Sequence, residues 1–208
     1  MPNAGPNPLT TPLKPGSPPA RILIAARELF FSQGFSNVST DALSREAAVS
    51  KATLYKYFPS MGDVLAAVTT VEGDRFEPAK APEIDSLDAL RDALIDYGTR
   101  LLTFLNEPDI QRFSALMHEE AREHPQSALV FYGAAYERTL KYLQDAFEQA
   151  TNLQSFKADP KELADMLLGM WEGMGMVRVG LCIDNEPFKD PHGWAARVVD
   201  IFLGGACQ

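Results

Sequence analysis

From residue 20 onward, apolar residues recur at three- and four-residue spacing, and no region sustains two-residue alternation. That periodicity predicts an all-α chain. The first helix is expected near Ala20 to Gln33, where Ile22, Ala25, Ala26, Leu29 and Phe30 form one apolar stripe. Gly34 stands where a helix-ending glycine belongs, and Phe35 returns the chain to the core. Ser39 is the expected N-cap of a second helix, with Asp41 in its first turn and Leu43 and Ala47 inward. Ala48-Val49-Ser50 reads as a turn. Ser50 then caps a third helix anchored by Leu54 and Phe58, and Pro59 stops it. Ser60 opens a fourth, carrying Val64, Leu65, Val68 and Val71 and weakening toward Gly73 and Pro78.

The pattern resumes at Asp85 and Ser86, the cap candidates of a helix reaching about Leu105, with Leu87, Leu90, Leu94, Tyr97, Leu101 and Phe104 inward. Pro108 starts another, with Ile110, Phe113, Leu116 and Met117 inward, ending before Pro125. One long helix is expected from about Gln126 to Thr151. Asp159-Pro160-x-Glu162 combines an N-cap, a first-position proline and a third-position carboxylate, opening a helix to about Cys182. Asp190-Pro191 opens the last one, with Trp194, Val198, Ile201 and Phe202. The total is about nine helices without a repeat. Residues 1–19 hold seven prolines and little apolar material, and read as a disordered arm. The expected division is that arm, an N-terminal three-helix helix-turn-helix domain over 20–80, and a C-terminal helical domain over 81–208.

Composition narrows the class. No stretch approaches the roughly 18–20 apolar residues that span a bilayer. The N-terminus lacks the apolar core of an export signal. Cys182 and Cys207 are far apart, without metal spacing. These features suggest a cytoplasmic chain with no membrane partner. The net charge of −9 argues against a nucleic-acid partner if spread evenly. It is not: residues 1–65 carry +2 and the remaining 143 carry −11. Any affinity for phosphates therefore belongs to the N-terminal end.

That end carries the chemistry. In a DNA-reading helix pair the second helix enters the major groove and needs polar and cationic side chains outside, apolar ones inside. Leu54 and Phe58 face inward; Lys51, Ala52, Tyr55 and Lys56 face outward. Ala52 permits close approach and can touch a thymine methyl. Ser39, Thr40, Ser50, Thr53, Tyr55 and Tyr57 can supply phosphate donors. On this pattern alone, a solvated helical hairpin with no DNA role is equally open.

The run from Ala25 to Leu65 resembles the N-terminal domain of TetR-family transcriptional regulators. That pattern is A-x-x-L-F-x-x-x-G-F, a Ser/Thr opening the second helix, A-G-V-S-x-G-x-L-Y-x-x-F and S-K-x-x-L. It appears here as Ala26, Leu29, Phe30, Gly34 and Phe35; Ser39 and Thr40; Ala47, Val49, Ser50, Leu54, Tyr55 and Phe58; and Ser60. Ala48 replaces the turn glycine, Ala52 the third-helix glycine, and Met61 the lysine opening the fourth helix. Without that lysine, affinity is expected to lean on Lys51, Lys56 and the fourth helix's N-terminus. The Arg122–His124–Pro125 run and the aromatic helix after it loosely resemble the AefR-like subgroup.

The resemblance implies a homodimer held by the last two helices on near-palindromic operator DNA. At 100° per residue, Gly169, Gly173 and Gly180 fall within about 40° on one helix face. Interior glycines cost roughly 1 kcal/mol each relative to alanine. Close packing against a second copy would offset that, with Met166 and Met176 bordering the face and Trp194, Val198, Ile201 and Phe202 added by the last helix. The opposite face, with Leu163, Leu167, Met170, Trp171, Met174, Arg178 and Leu181, is assigned to the subunit's own core. Packing of both faces within one subunit stays open.

The resemblance also implies a small-molecule pocket in the second domain. Candidates are Tyr97, Leu101, Phe104, Phe113, Met117, Phe131, Tyr132, Tyr136, Trp171 and Met174, with His118 and Arg178 to orient a polar group. His118, His124 and His192 lie in separate segments with no nucleophile, metal cluster or phosphate loop beside them. The expectation is a ligand-responsive repressor, not an enzyme, without cofactor or metal. A DNA-binding structural protein without an effector is the other reading.

Overall fold

Local capping chemistry sets most helix starts. The computed structural model describes residues 14–76, 82–181 and 183–207. The expectations for the proline-rich arm before residue 14, for Pro78 and for Cys182 lie outside those residues. Helix α1 (Pro18–Gln33) begins on two prolines and ends at Gly34. A single 3-10 turn, Phe35–Asn37, leads to α2 (Thr40–Glu46), where Ser39 Oγ accepts from Ala42 N. Helix α3 (Lys51–Tyr57) is capped by Ser50, whose Oγ accepts from Thr53 N, and α4 (Met61–Gly73) by a Ser60/Asp63 capping box.

Helix α5 (Leu87–Leu105) starts at Ser86, and α6 (Pro108–Glu120) and α7 (Pro125–Tyr132) both start at prolines. A π-helical turn, Gly133–Glu137, joins α7 to α8 (Arg138–Ala150). Helix α9 (Pro160–Gly180) is capped by Asp159, and α10 (Pro191–Ala206) by Asp190. Counting α7 and α8 as one helix through its π turn, the described residues hold nine helices, and the fold is all-α. No described helix is long and apolar enough to cross a membrane.

The chain forms two compact units, and they do not simply follow the order of the sequence. The first takes Met1–Arg75 together with Arg112–Ala134. The second takes Phe76–Gln111 and Ala135–Gln208. An expected break near residue 80 therefore leaves out a segment that returns. In the first unit, Ile22, Phe30, Leu43, Leu54, Phe58, Leu65 and Val68 share one core with Phe113, Leu116 and Met117. Ser36 Oγ donates to both carboxylate oxygens of buried Glu120, at 2.9 and 3.1 Å, and the His124 ring stands edge-on to Phe35. Buried Glu72 of α4 accepts from Arg27 of α1 at 2.6 Å and from Arg75 at 3.1 Å.

In the second unit, α5 lies along α10 and α8 along α9. Leu90, Leu94, Leu102, Leu143, Phe147, Leu167 and Trp171 fill the core between them. A Cβ added to Gly98 would stand 2.7 Å from the Trp171 indole, so only glycine lets α5 approach the ring this closely. Arg91 pairs side-on with Asp200, at 2.6 and 3.1 Å, tying α5 to α10. Leu87 is an exception to the expected stripe. It is the first helical residue, and it is exposed.

Helix α9 is broken. Gly173 has φ 46° and ψ −152°, a conformation reserved for glycine. The 100°-per-residue projection across this point therefore fails. Gly173 serves the backbone, and no face runs unbroken from Gly169 to Gly180. Met170, Met174 and Leu181, expected inside, are exposed. Met176, Val198 and Phe202, expected at a partner, pack into their own unit's core.

Candidate DNA-binding site

Helix α3 is only seven residues long, so its orientation is set by what it packs on. Leu54 and Phe58 are buried against α1, and Lys51, Ala52, Tyr55 and Lys56 are all exposed, as the pattern requires. Ser39 and Ser50 are exposed caps; Thr40, Thr53 and Tyr57 are half-buried at the rim. The turn between α2 and α3 places Ala48 at φ 51°, the left-handed region where glycine is the cheaper residue.

Two α3 side chains are held by the first turn of α2. Lys51 Nζ lies 2.7 Å from Asp41 Oδ1, and the Tyr55 hydroxyl lies 3.3 Å from Thr40 Oγ1. The hydrogen bond to Asp41 and then its charge hold the Lys51 ammonium above its ordinary pKa. Lys56 Nζ sits 5.8 Å from the Tyr57 ring centre. Ser50 Oγ also meets Thr53 Oγ1 at 2.9 Å. The sequence treated Asp41 only as a dipole partner. Its pairing with Lys51 joins residues ten apart on two helices, which no single-helix spacing reveals.

The N-terminus of α4 is closed by its capping box. Asp63 Oδ2 accepts from Ser60 N at 2.9 Å and from Ser60 Oγ at 2.7 Å, while Ser60 Oγ accepts from Asp63 N. The capping box uses the Asp63 amide and holds the Asp63 carboxylate against Ser60 at this helix start.

These features match a known arrangement. The model for bacterial regulatory proteins of the tetR family matches residues 22–68, and that for the AefR-like transcriptional repressor C-terminal domain matches residues 92–205. The chain belongs to the TetR family. It is a transcriptional regulator with a DNA-binding helix-turn-helix formed by α2 and α3. A Mycobacterium tuberculosis protein, named as the candidate mycofactocin biosynthesis regulator MftR, is 30% identical over 123 residues. That alignment spans 50% of this chain and 60% of the relative. The solved flavonoid-responsive regulator FrrA is 27% identical, with TM-score 0.75 over 91% of this chain and 97% of its own. A TetR regulator of Agrobacterium tumefaciens shares the fold, with 22% identity and TM-score 0.78 over 92% of this chain and 94% of its own.

The residues considered for an effector separate. Phe113, Met117 and Phe131 belong to the first unit's core. Tyr132 and His118 are exposed. Tyr97, Leu101 and Trp171 are buried in the second unit, with Tyr136 packed against the same core. Tyr97 stacks on Tyr142 at 3.9 Å and donates to Thr139 Oγ1, and burial pushes its phenol up to about 12. Phe104 joins this aromatic group through Phe76. Met174 and Arg178 instead line a cavity of about 420 Å3 beside the α9 break, where Arg178 pairs with Asp184 at 2.9 Å. A second cavity, of about 630 Å3, is bordered by Met166, Gly169 and Met170 of α9 and by Ile201 and Phe202 of α10.

Proposed function

We propose that this regulator is a homodimeric repressor that binds a near-palindromic operator and is released by a small molecule. The observation that carries it is the exposed face of α3, cationic and hydroxyl-bearing on a chain of net charge −9. A protein this acidic gains phosphate affinity only where cations are concentrated. The match to an AefR-like transcriptional repressor supports repression. FrrA's flavonoid response supports a small, flat effector.

The proposed effector seat is the aromatic group around Tyr97, Leu101, Phe104 and Trp171, which is packed closed here and must open to admit a ligand. The buried Trp171 indole N–H has no acceptor among the described residues. Buried donors normally have one, so a ligand oxygen would satisfy it. Two bound states that differ in operator affinity complete the switch.

A mobility shift on the DNA upstream of the protein's own gene tests the reading. Tyr55→Ala and Lys51→Ala are each expected to weaken the shift with the fold intact. Flavonoids are the first effector panel, and Trp171→Phe keeps the shift while losing release. Wild-type binding by both α3 variants would remove α3 from the interface.

A further inference from the structure

Lys51 and Asp41 are both exposed, at 54% and 71% of their side chains, yet meet at 2.7 Å. Lys51 is the first residue of α3 and Asp41 the second of α2, so with α3 as the reading helix both stand on the DNA-facing side. The neighbouring Thr40–Tyr55 contact links the same two turns. A carboxylate at a phosphate-facing surface is unfavourable by itself, because each cation that it neutralises is withdrawn from counterion release. We propose that Asp41 is a specificity-determining residue that competes with DNA phosphate for Lys51 and so penalises binding that offers phosphates alone.

The competition works through two charges. Lys51 gives a phosphate its full charge only by leaving Asp41, and this leaves the carboxylate unpaired beside the polyanion. A random duplex offers no compensation. At a cognate site the major groove presents amino donors, cytosine N4 or adenine N6, that can satisfy a carboxylate. The penalty is thereby recovered at the right sequence and paid at all others. The Asp41 proposal rests on α3 as the reading helix, and its test keeps the two ideas apart.

The experiment measures full-length protein binding to a labelled 24-base-pair random duplex by fluorescence anisotropy, at several salt concentrations. Asp41→Asn is expected to tighten binding about three- to tenfold at low salt and to steepen the slope of log affinity on log salt by about 0.9, one freed cation. In the Lys51→Ala background, Asp41→Asn is expected to leave the salt slope unchanged and to tighten binding by clearly less, since no cation is freed. Equal affinity of Asp41→Asn and wild type would overturn the proposal. So would the same tightening in the absence of Lys51, since that is general charge removal. Tyr55→Ala and Lys51→Ala alone report on α3: if neither weakens binding, the reading helix is misassigned, whatever Asp41→Asn does.

Discussion

At the residue scale, the turn of the helix-turn-helix carries a local cost. Ala48 sits at φ 51°, where its Cβ crowds the backbone. The left-handed region costs a non-glycine residue about 1–2 kcal/mol, partly offset by the lower entropy of an unfolded alanine. Ala48→Gly is therefore expected to stabilise the protein by about 0.5–1 kcal/mol. Thermal unfolding read by circular dichroism checks this, and an unchanged or lowered midpoint contradicts it. Glu72 shows the opposite economy. It is a buried carboxylate, but Arg27 and Arg75 both reach it, so its charge is held rather than stranded.

At the element scale, α9 is where pattern and structure part. Cap and stop residues were legible: Ser39, Ser50, Ser60, Ser86 and Asp159 all accept the amide hydrogen bonds that their positions call for. The inward side of α3 was legible as well, because Leu54 lies in one short, unbroken helix and Phe58 follows directly as its C-cap. The faces of α9 were not. A projection assumes one continuous helix, and Gly173 breaks it, so every residue after the break changes phase. The Asp41–Lys51 pair and the return of Arg112–Ala134 to the first unit depend on tertiary contacts, which periodicity does not encode.

Glu172, beside the break, carries a consequence for pH. Burial pushes its carboxyl up to about 7 from an ordinary 4.5. The folded state then holds its proton more tightly than the unfolded state does. Its stability contribution is intact below about pH 4.5 and declines as the pH rises toward 7. Glu172→Gln removes that decline. The variant is expected to be more stable than wild type at pH 8, with the difference narrowing toward pH 5. Urea titrations across this range measure it, and parallel curves at both ends would exclude Glu172 as the cause.

At the scale of the molecule, the apolar surface of the second unit is too concentrated to be incidental. Met166, Met170, Met174, Val177 and Leu181 of α9 and its end are exposed, as are Trp194 and Ile201 of α10. Scattered surface hydrophobes are ordinary, but Met166, Met170 and Ile201 border one groove, the kind of apolar set that a partner surface covers. A closed two-fold contact lets one such surface cover itself. Ile201 is the most telling member, 69% exposed and lining the larger cavity together with Met166. Ile201→Glu places a charge in the groove of each copy, and an unpaired buried charge costs about 3 kcal/mol or more. Dimer affinity should fall at least about a hundredfold. Light scattering at micromolar concentration is expected to give the monomer mass, with an unchanged circular dichroism spectrum because the side chain lies outside the subunit's own core. DNA affinity should fall with it, since two half-sites are then no longer bound as one unit. A variant that stays dimeric would place the contact elsewhere on the molecule and separate the apolar face from operator binding.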